Sequence, residues 1–229
     1  MDADGEDRRK LAVIGPTLRL RHGGRMLSIY RIKPAFQNSL RPLVRLLAAS
    51  NVTPNQVTIA AILLSLAVGG CILFRPDSRW PFFLLPIALI VRMGLNAIDG
   101  MLAREHHMTT KLGGVLNELG DVVSDSALYL PFAVVPGVLA PVVVVVVLLA
   151  AISEMAGVVA IHISGRRRYD GPMGKSDRAF VFGALALARA LGFEGPMWVN
   201  GILMIVALLL VITIYARARG ALREGGDDD

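Results

Sequence analysis

The sequence predicts an all-α fold, a polytopic membrane protein with six transmembrane helices and an N-terminal interfacial amphipathic helix. Three observations predict it. Hydrophobic residues make up 54% of the chain and the mean hydropathy is +0.58, too apolar for a water-soluble domain. Apolar segments close to bilayer length recur along the chain, separated by Pro and Gly breaks. Lys and Arg gather in alternate connections, as the positive-inside bias requires.

The elements follow in order. Residues 31–50 place Ile32, Phe36, Leu40, Leu43, Val44 and Leu47 at helical spacing, against Lys33, Gln37, Arg41 and Arg45. An apolar stripe backed by cations suits a helix lying in the membrane interface. Thr53 reads as an N-cap and Pro54 as the first-turn proline that opens span one, residues 55–74. Pro76 separates it from span two, 81–103. Span three covers 111–135 and stops at Pro136-Gly137; span four covers 138–163. Gly195-Pro196 parts span five, 177–192, from span six, 198–215. The chain thus divides into a cytoplasmic tail and interfacial helix (1–52), a membrane domain (53–215) and a cytoplasmic tail (216–229). The first ten residues and the Gly-Gly-Asp-Asp-Asp tail are expected to be disordered. No signal-peptide core precedes residue 50, so insertion without cleavage is expected.

Charge sets the orientation. Twenty Lys and Arg fall before residue 53, in 104–111, in 164–178 and after 215, whereas only Arg75 and Arg79 fall on the opposite side. Both termini and the 104–111 and 164–178 loops are therefore expected in the cytoplasm, in a multi-pass protein of the bacterial inner membrane. The net charge of +6 reflects this topology and contact with anionic lipid rather than nucleic acid. Cys71 is the only cysteine, which excludes an internal disulfide; it reads as a packing residue.

Functional residues concentrate where spans two and three meet. Asn96, Asp99 and Ala103 share one face of a helix, and Gly113, Asn117, Asp121 and Asp125 climb one stripe of the next. The short turn between makes the helices antiparallel neighbours, so Asp99 and Asp121 are expected to converge. Carboxylates at membrane depth are costly unless paired or bound to a cation, which marks them as a functional site.

The run Asp99-Gly100-x-x-Ala103-Arg104, eight residues, then Gly113-x-x-x-Asn117-x-x-x-Asp121 resembles the signature of the CDP-alcohol phosphatidyltransferases. That signature is Asp-x-x-Asp-Gly-x-x-Ala-Arg-x8-Gly-x-x-x-Asp-x-x-x-Asp. The resemblance covers about residues 53–215. It implies an integral membrane homodimer that moves a phosphatidyl-type group from a CDP-alcohol, here CDP-diacylglycerol or a related CDP-lipid, to an acceptor alcohol or polyol phosphate. CMP is released, in phospholipid biosynthesis, at a site facing the cytoplasm. It also implies Mg²⁺ or Mn²⁺, with Asp99 ligating a first metal and Asp121 ligating a second and accepting the acceptor's proton. Gly100, Arg104, Thr110 and Thr58 take nucleotide-binding roles by the same resemblance.

Two positions depart from the signature. Asn96 and Asn117 stand where the family has aspartates that bridge both metals, and an amide offers one neutral carbonyl oxygen. The expected result is weaker occupancy by two metals, or a single metal held by Asp99 and Asp121 with Asn96 and Asn117 assisting. Asp125, Glu118 and Glu154 are further acids near enough in sequence pattern to restore charge. Arg92, one turn before Asn96, is either a fixed cation replacing metal charge or the partner of Glu154 or Asp125 in a buried pair. In the basic 166–178 loop, Arg166, Lys175 and Arg178 are candidates for an acceptor phosphate; positive-inside bias alone also accounts for that cluster. A non-catalytic relative, binding nucleotide or lipid as a membrane partner subunit, is the competing reading. Retention of Asp99, Gly100, Arg104 and Asp121 favours the enzyme, since a scaffold needs none of them. A small transporter lacks support, there being no repeat and no pair of broken helices.

Overall fold

The computed structural model describes residues 29–193 and 195–225, with side chains from Phe36 onward. The first ten residues and the chain beyond Gly225 lie outside the described residues, as do the side chains of Ile32 and Lys33. The chain divides into two units, Met1–Phe36 and Gln37–Asp229, and the second carries the fold.

Seven α-helices follow one another, without strands among the described residues: α1 (Ile29–Ala49), α2 (Pro54–Phe74), α3 (Trp80–Glu105), α4 (Lys111–Tyr129), α5 (Ala140–Ser164), α6 (Lys175–Ala190) and α7 (Pro196–Gly225). A 3₁₀ turn, Leu130–Val134, follows α4. Local chemistry sets several boundaries. Thr53 caps α2 as expected, and Gln56 completes a capping box, its Oε1 accepting the Thr53 amide at 2.9 Å. Thr110 caps α4, its hydroxyl accepting the Gly113 amide at 2.9 Å. The third expected span loses its α-helical form at Tyr129, because Pro131 lacks the amide that continuation needs.

Among the described residues four helices, α2, α3, α5 and α7, qualify by length and composition to cross a membrane. The six expected spans are not all of this kind. α4 has 19 residues interrupted by Asn117, Glu118, Asp121 and Asp125, and α6 has only 16. The charges in the middle of the bundle are buried: Asp125 of α4 is 5% exposed and Arg178 of α6 1%. Large apolar side chains instead cover the outside, among them Ile59 and Leu63 on α2, Ile87 and Ile90 on α3, Leu148 on α5 and Leu208 on α7. Such a surface suits hydrocarbon and not water.

α5 packs along α7, α2 along α3 and α4, and α3 along α6. The apolar core centres on aromatics, with Tyr129 stacked on Phe182 at 4.1 Å between ring centroids and Phe132 edge-on to Phe82 and Phe182. At the α2–α4 crossing Gly69 is obligatory, since a Cβ there would lie 1.9 Å from the carbonyl oxygen of Ala127. A smaller cluster joins Val44 of α1 to Val57, Ile98, Met101 and Leu102, with Leu40 and Leu47 against it. Part of the stripe expected to face lipid is thus used to hold the bundle. α7 continues ten residues past the expected end of span six, because Arg217 is 2% exposed and donates to the carbonyls of Ser153 and Asp170.

Candidate active site

The site is assembled from the N-terminal turns of α2, α4 and α6 and the C-terminal half of α3. α3 and α4 were expected as pressed neighbours. Instead both lean on α2, with few close backbone approaches to each other, and side chains cross the space left between them. Asn96 makes the crossing: its Nδ2 donates to Asp121 Oδ1 at 3.1 Å. Asp99 and Asp121 are thus linked through Asn96, one turn before Asp99, which lines a cavity with Asp99 and donates to Asp121.

Asp99 is 6% exposed, and its Oδ2 accepts from the Thr58 hydroxyl at 2.9 Å. It lines a cavity of about 260 Å³ together with Asn55, Thr58, Asn96, Gly100, Arg104, Thr110, Gly113 and Asn117. All four expected nucleotide residues are thus brought together. Gly100 is needed for the Arg104 guanidinium to fold back, since a Cβ would lie 2.9 Å from Nη2. Arg104 has no acidic partner among the described residues, so its guanidinium is available to an anion in the cavity.

Asp121 sits at the inner rim with its side chain 22% exposed. Its Oδ1 also meets Lys175 Nζ at 2.5 Å and Arg92 Nη2 at 3.3 Å. Behind it runs a chain of alternating charges. Arg92 Nη1 reaches Asp125 Oδ1 at 2.5 Å, Asp125 Oδ2 accepts from Arg178 Nη2 at 2.9 Å, and Arg178 Nη2 reaches Glu154 Oε1 at 3.0 Å. Glu154 is shared with Arg167, which also pairs with Glu118, and lies 3.7 Å from Arg217. Burial of so many charges is tolerable only because each is paired.

This arrangement sorts the expected residues. Arg92 pairs with Asp125, one of the two partners open to it, and not with Glu154, which is taken from α6, α7 and the 165–174 loop. Asp125, Glu118 and Glu154, the acids expected as able to restore charge, each pair with one or more arginines. Of the three basic candidates only Lys175 contacts Asp121; Arg178 is locked between Asp125 and Glu154, and Arg166 pairs with Glu224 at the surface. Arg217 and Ser153 carry no periodic signal, and their parts in this network come from α7 crossing α5.

The donor set fits one divalent cation better than two. Asp99, Asn96 and Asn117 border the same cavity, and a carboxylate with two amides can offer the hard oxygen ligands that Mg²⁺ or Mn²⁺ takes with phosphate and water. Around Asp121 the neighbours are nitrogen donors, and no group of three or more His, Cys, Asp or Glu among the described residues is placed to hold a metal ion.

A second cavity, about 590 Å³, runs between α3 and α6. Leu89, Ile90, Met93, Phe180 and Leu187 make it apolar, and Arg92, Asn96 and Lys175 close one end. Asn96 lines both cavities, so the polar one and the apolar one meet beside Asp121.

Known proteins share this sequence and fold. Residues 51–213 match the sequence profile of the CDP-alcohol phosphatidyltransferase family. The chain is 45% identical over 196 residues to the inner membrane protein YnbA of Escherichia coli K12, covering 86% of this chain and 97% of that one. It is 32% identical over 98 residues to the archaetidylinositol phosphate synthase of Pyrococcus horikoshii, covering 43% of this chain and half of that protein. The fold matches the crystal structure of phosphatidylinositol phosphate synthase from Mycobacterium tuberculosis with CDP-DAG bound, at a TM-score of 0.66 and 20% identity, covering 79% of this chain and 92% of that one. The same synthase is also known in complex with manganese and citrate, with a TM-score of 0.66, 21% identity and 79% and 87% coverage.

Proposed function

We propose, from the premise that this chain belongs to the CDP-alcohol phosphatidyltransferase family, a course for its reaction and a role for each residue of the site. The activity class follows from the family: a membrane transferase of phospholipid biosynthesis that uses a CDP-alcohol. The donor is CDP-diacylglycerol or a related CDP-lipid. The observation that carries this reading is the junction at Asn96 between a polar cavity with an unpaired arginine and an apolar groove. A nucleotide diphosphate with lipid chains needs that pair of environments, joined at the diphosphate.

Arg104 holds the diphosphate, and Thr58, Gly100 and Thr110 shape the cytidine side of the cavity. The acyl chains lie along α3 and α6. The acceptor hydroxyl approaches from the Lys175 side, where an ammonium 34% exposed meets phosphoryl or acceptor-phosphate oxygens. It attacks the β-phosphorus, the bond to the α-phosphate oxygen breaks, and CMP leaves. Asp121 receives the hydroxyl proton, held in place by Asn96, Arg92 and Lys175. A divalent cation, Mg²⁺ or Mn²⁺, neutralises diphosphate charge when bound, and Asp99 with Asn96 and Asn117 would hold it.

The same reading gives α4 and α6 the two remaining spans, six in all, because Glu118, Asp121, Asp125, Lys175 and Arg178 are paired and Leu119, Val123, Phe180 and Leu187 are exposed on the outside. α1 lies at the interface, and both termini and the site face the cytoplasm of a bacterial inner membrane. The functional unit is a homodimer.

The test incubates purified protein in bilayers with labelled CDP-diacylglycerol, Mg²⁺ or Mn²⁺, and a panel of polyols and polyol phosphates. Metal-dependent CMP release, abolished in Asp121→Asn, is expected. CDP-lipid binding without release for any acceptor would refute the transferase and favour a non-catalytic partner subunit.

A further inference from the structure

The inner acid of the site has its electrostatic partners built into the protein. Three donors converge on one oxygen of Asp121: Lys175 Nζ at 2.5 Å, Asn96 Nδ2 at 3.1 Å and Arg92 Nη2 at 3.3 Å. Arg92 Nη2 also donates to the Asp121 main-chain carbonyl at 3.1 Å, so the guanidinium grips the residue at two points. Asn96 and Arg92 take the two lone-pair directions of Oδ1 and the Lys175 ammonium lies against it, so a metal ion at about 2.1 Å from Asp121 would have only Oδ2 to bind. A divalent cation at Oδ1 would also sit against the Lys175 ammonium and against a guanidinium that cannot move far, since Arg92 is 3% exposed and tied to Asp125.

Asn96 completes the argument. A carboxylate only accepts hydrogen bonds, so the side of the amide facing Asp121 has to be its NH₂. Its nitrogen therefore acts toward Asp121 as a donor, which an aspartate at 96 could not do. Asn96, Lys175 and Arg92 form one device, in which neutral residues at 96 and 117 go with a protein cation beside Asp121.

We propose that Lys175, backed by Arg92, occupies the place of a second divalent cation next to Asp121, and that the chain binds one divalent cation per active site, on the Asp99 side. The purpose of that charge rests on the transferase reading, whereas the cation count is measurable without turnover. Lys175 and the amides are matched: acids at 96 and 117 become useful for metal binding only when the ammonium is gone.

The experiment is a Mn²⁺ titration of the purified full chain with CDP present, following free Mn²⁺ by electron paramagnetic resonance. One bound Mn²⁺ per chain is expected, without the spin coupling of a close Mn²⁺ pair. None or two overturns the proposal. The triple variant Asn96→Asp, Asn117→Asp, Lys175→Met, with folding checked by its thermal midpoint and CDP binding, is expected to bind two; a folded triple variant that still binds one overturns the role given to Lys175. Should the triple variant not fold, the wild-type count decides alone. CMP release from CDP-diacylglycerol is scored separately. One Mn²⁺ without release leaves this proposal standing and removes the transferase, and release with two Mn²⁺ does the reverse.

Discussion

Asp121 and Asp125 lie one turn apart on the same stripe of α4, yet one is part-exposed and the other buried between two arginines, and neutralising each should separate stability from the proposed chemistry. Asp125 is 5% exposed and bridges two buried guanidinium groups, Arg92 at 2.5 Å and Arg178 at 2.9 Å. Removing one partner from a buried pair costs about 3–5 kcal/mol. Asn keeps the volume and one acceptor, while Arg92 retains Asp121 at 3.3 Å and Arg178 retains Glu154 at 3.0 Å, which points to the lower end. At about 2–4 °C per kcal/mol for a chain of this size, a loss of about 3 kcal/mol lowers the thermal midpoint of Asp125→Asn by about 6–12 °C. Asp121 stands at the rim beside a part-exposed lysine, so Asp121→Asn should cost no more than about 1 kcal/mol. Its CMP release should fall by about 10²–10⁴-fold, the loss expected of a proton acceptor. Thermal unfolding of detergent-purified protein and a CMP-release assay on both variants provide the two readouts. An Asp125→Asn midpoint equal to wild type, or an Asp121→Asn enzyme with full turnover, would show that the division of labour along α4 is wrong.

Four further outcomes can be measured with the same preparations. Arg104→Lys should weaken CMP binding by about tenfold in calorimetry, because an ammonium cannot make the bidentate contact, and should leave the midpoint unchanged since Arg104 has no acidic partner among the described residues. Gly100→Ala should weaken CMP binding as well, by pushing the Arg104 guanidinium out of its place at 2.9 Å from the new methyl group. Gly69→Ala, whose methyl would meet a backbone carbonyl that cannot swing away, should destabilise the bundle by about 1–3 kcal/mol or more without touching the site. Chelation of divalent cations should abolish CMP release and leave the thermal midpoint within a few degrees of its starting value, since paired side chains and not metal hold the helices together; Mg²⁺ or Mn²⁺ should restore turnover.

Much of the protein is written in local pattern. Thr53-Pro54 opens α2 where expected, because a cap needs only a hydroxyl and the next three residues. Apolar runs ended by Pro and Gly fixed the order of the helices, and the spacing from Asp99 to Asp121 pointed to the family, whose resemblance marked Gly100, Arg104 and Thr110 within the motif and Thr58 before it, all of which line the cavity. These features depend on neighbours within one or two turns, so a linear reading reaches them. Partner choice does not. Arg92 had two candidate partners, Glu154 and Asp125, and took Asp125, while Glu154 went to arginines from α6, α7 and the 165–174 loop, because charges far apart in the chain are paired by the crossing of helices. Tertiary structure alone moved α3 and α4 apart onto α2, opened the cavity between them, and brought Lys175 against Asp121. The physical reason is that burying a charge demands a partner at about 3 Å, and the identity of that partner is set by which helices pack, not by the residues that precede it.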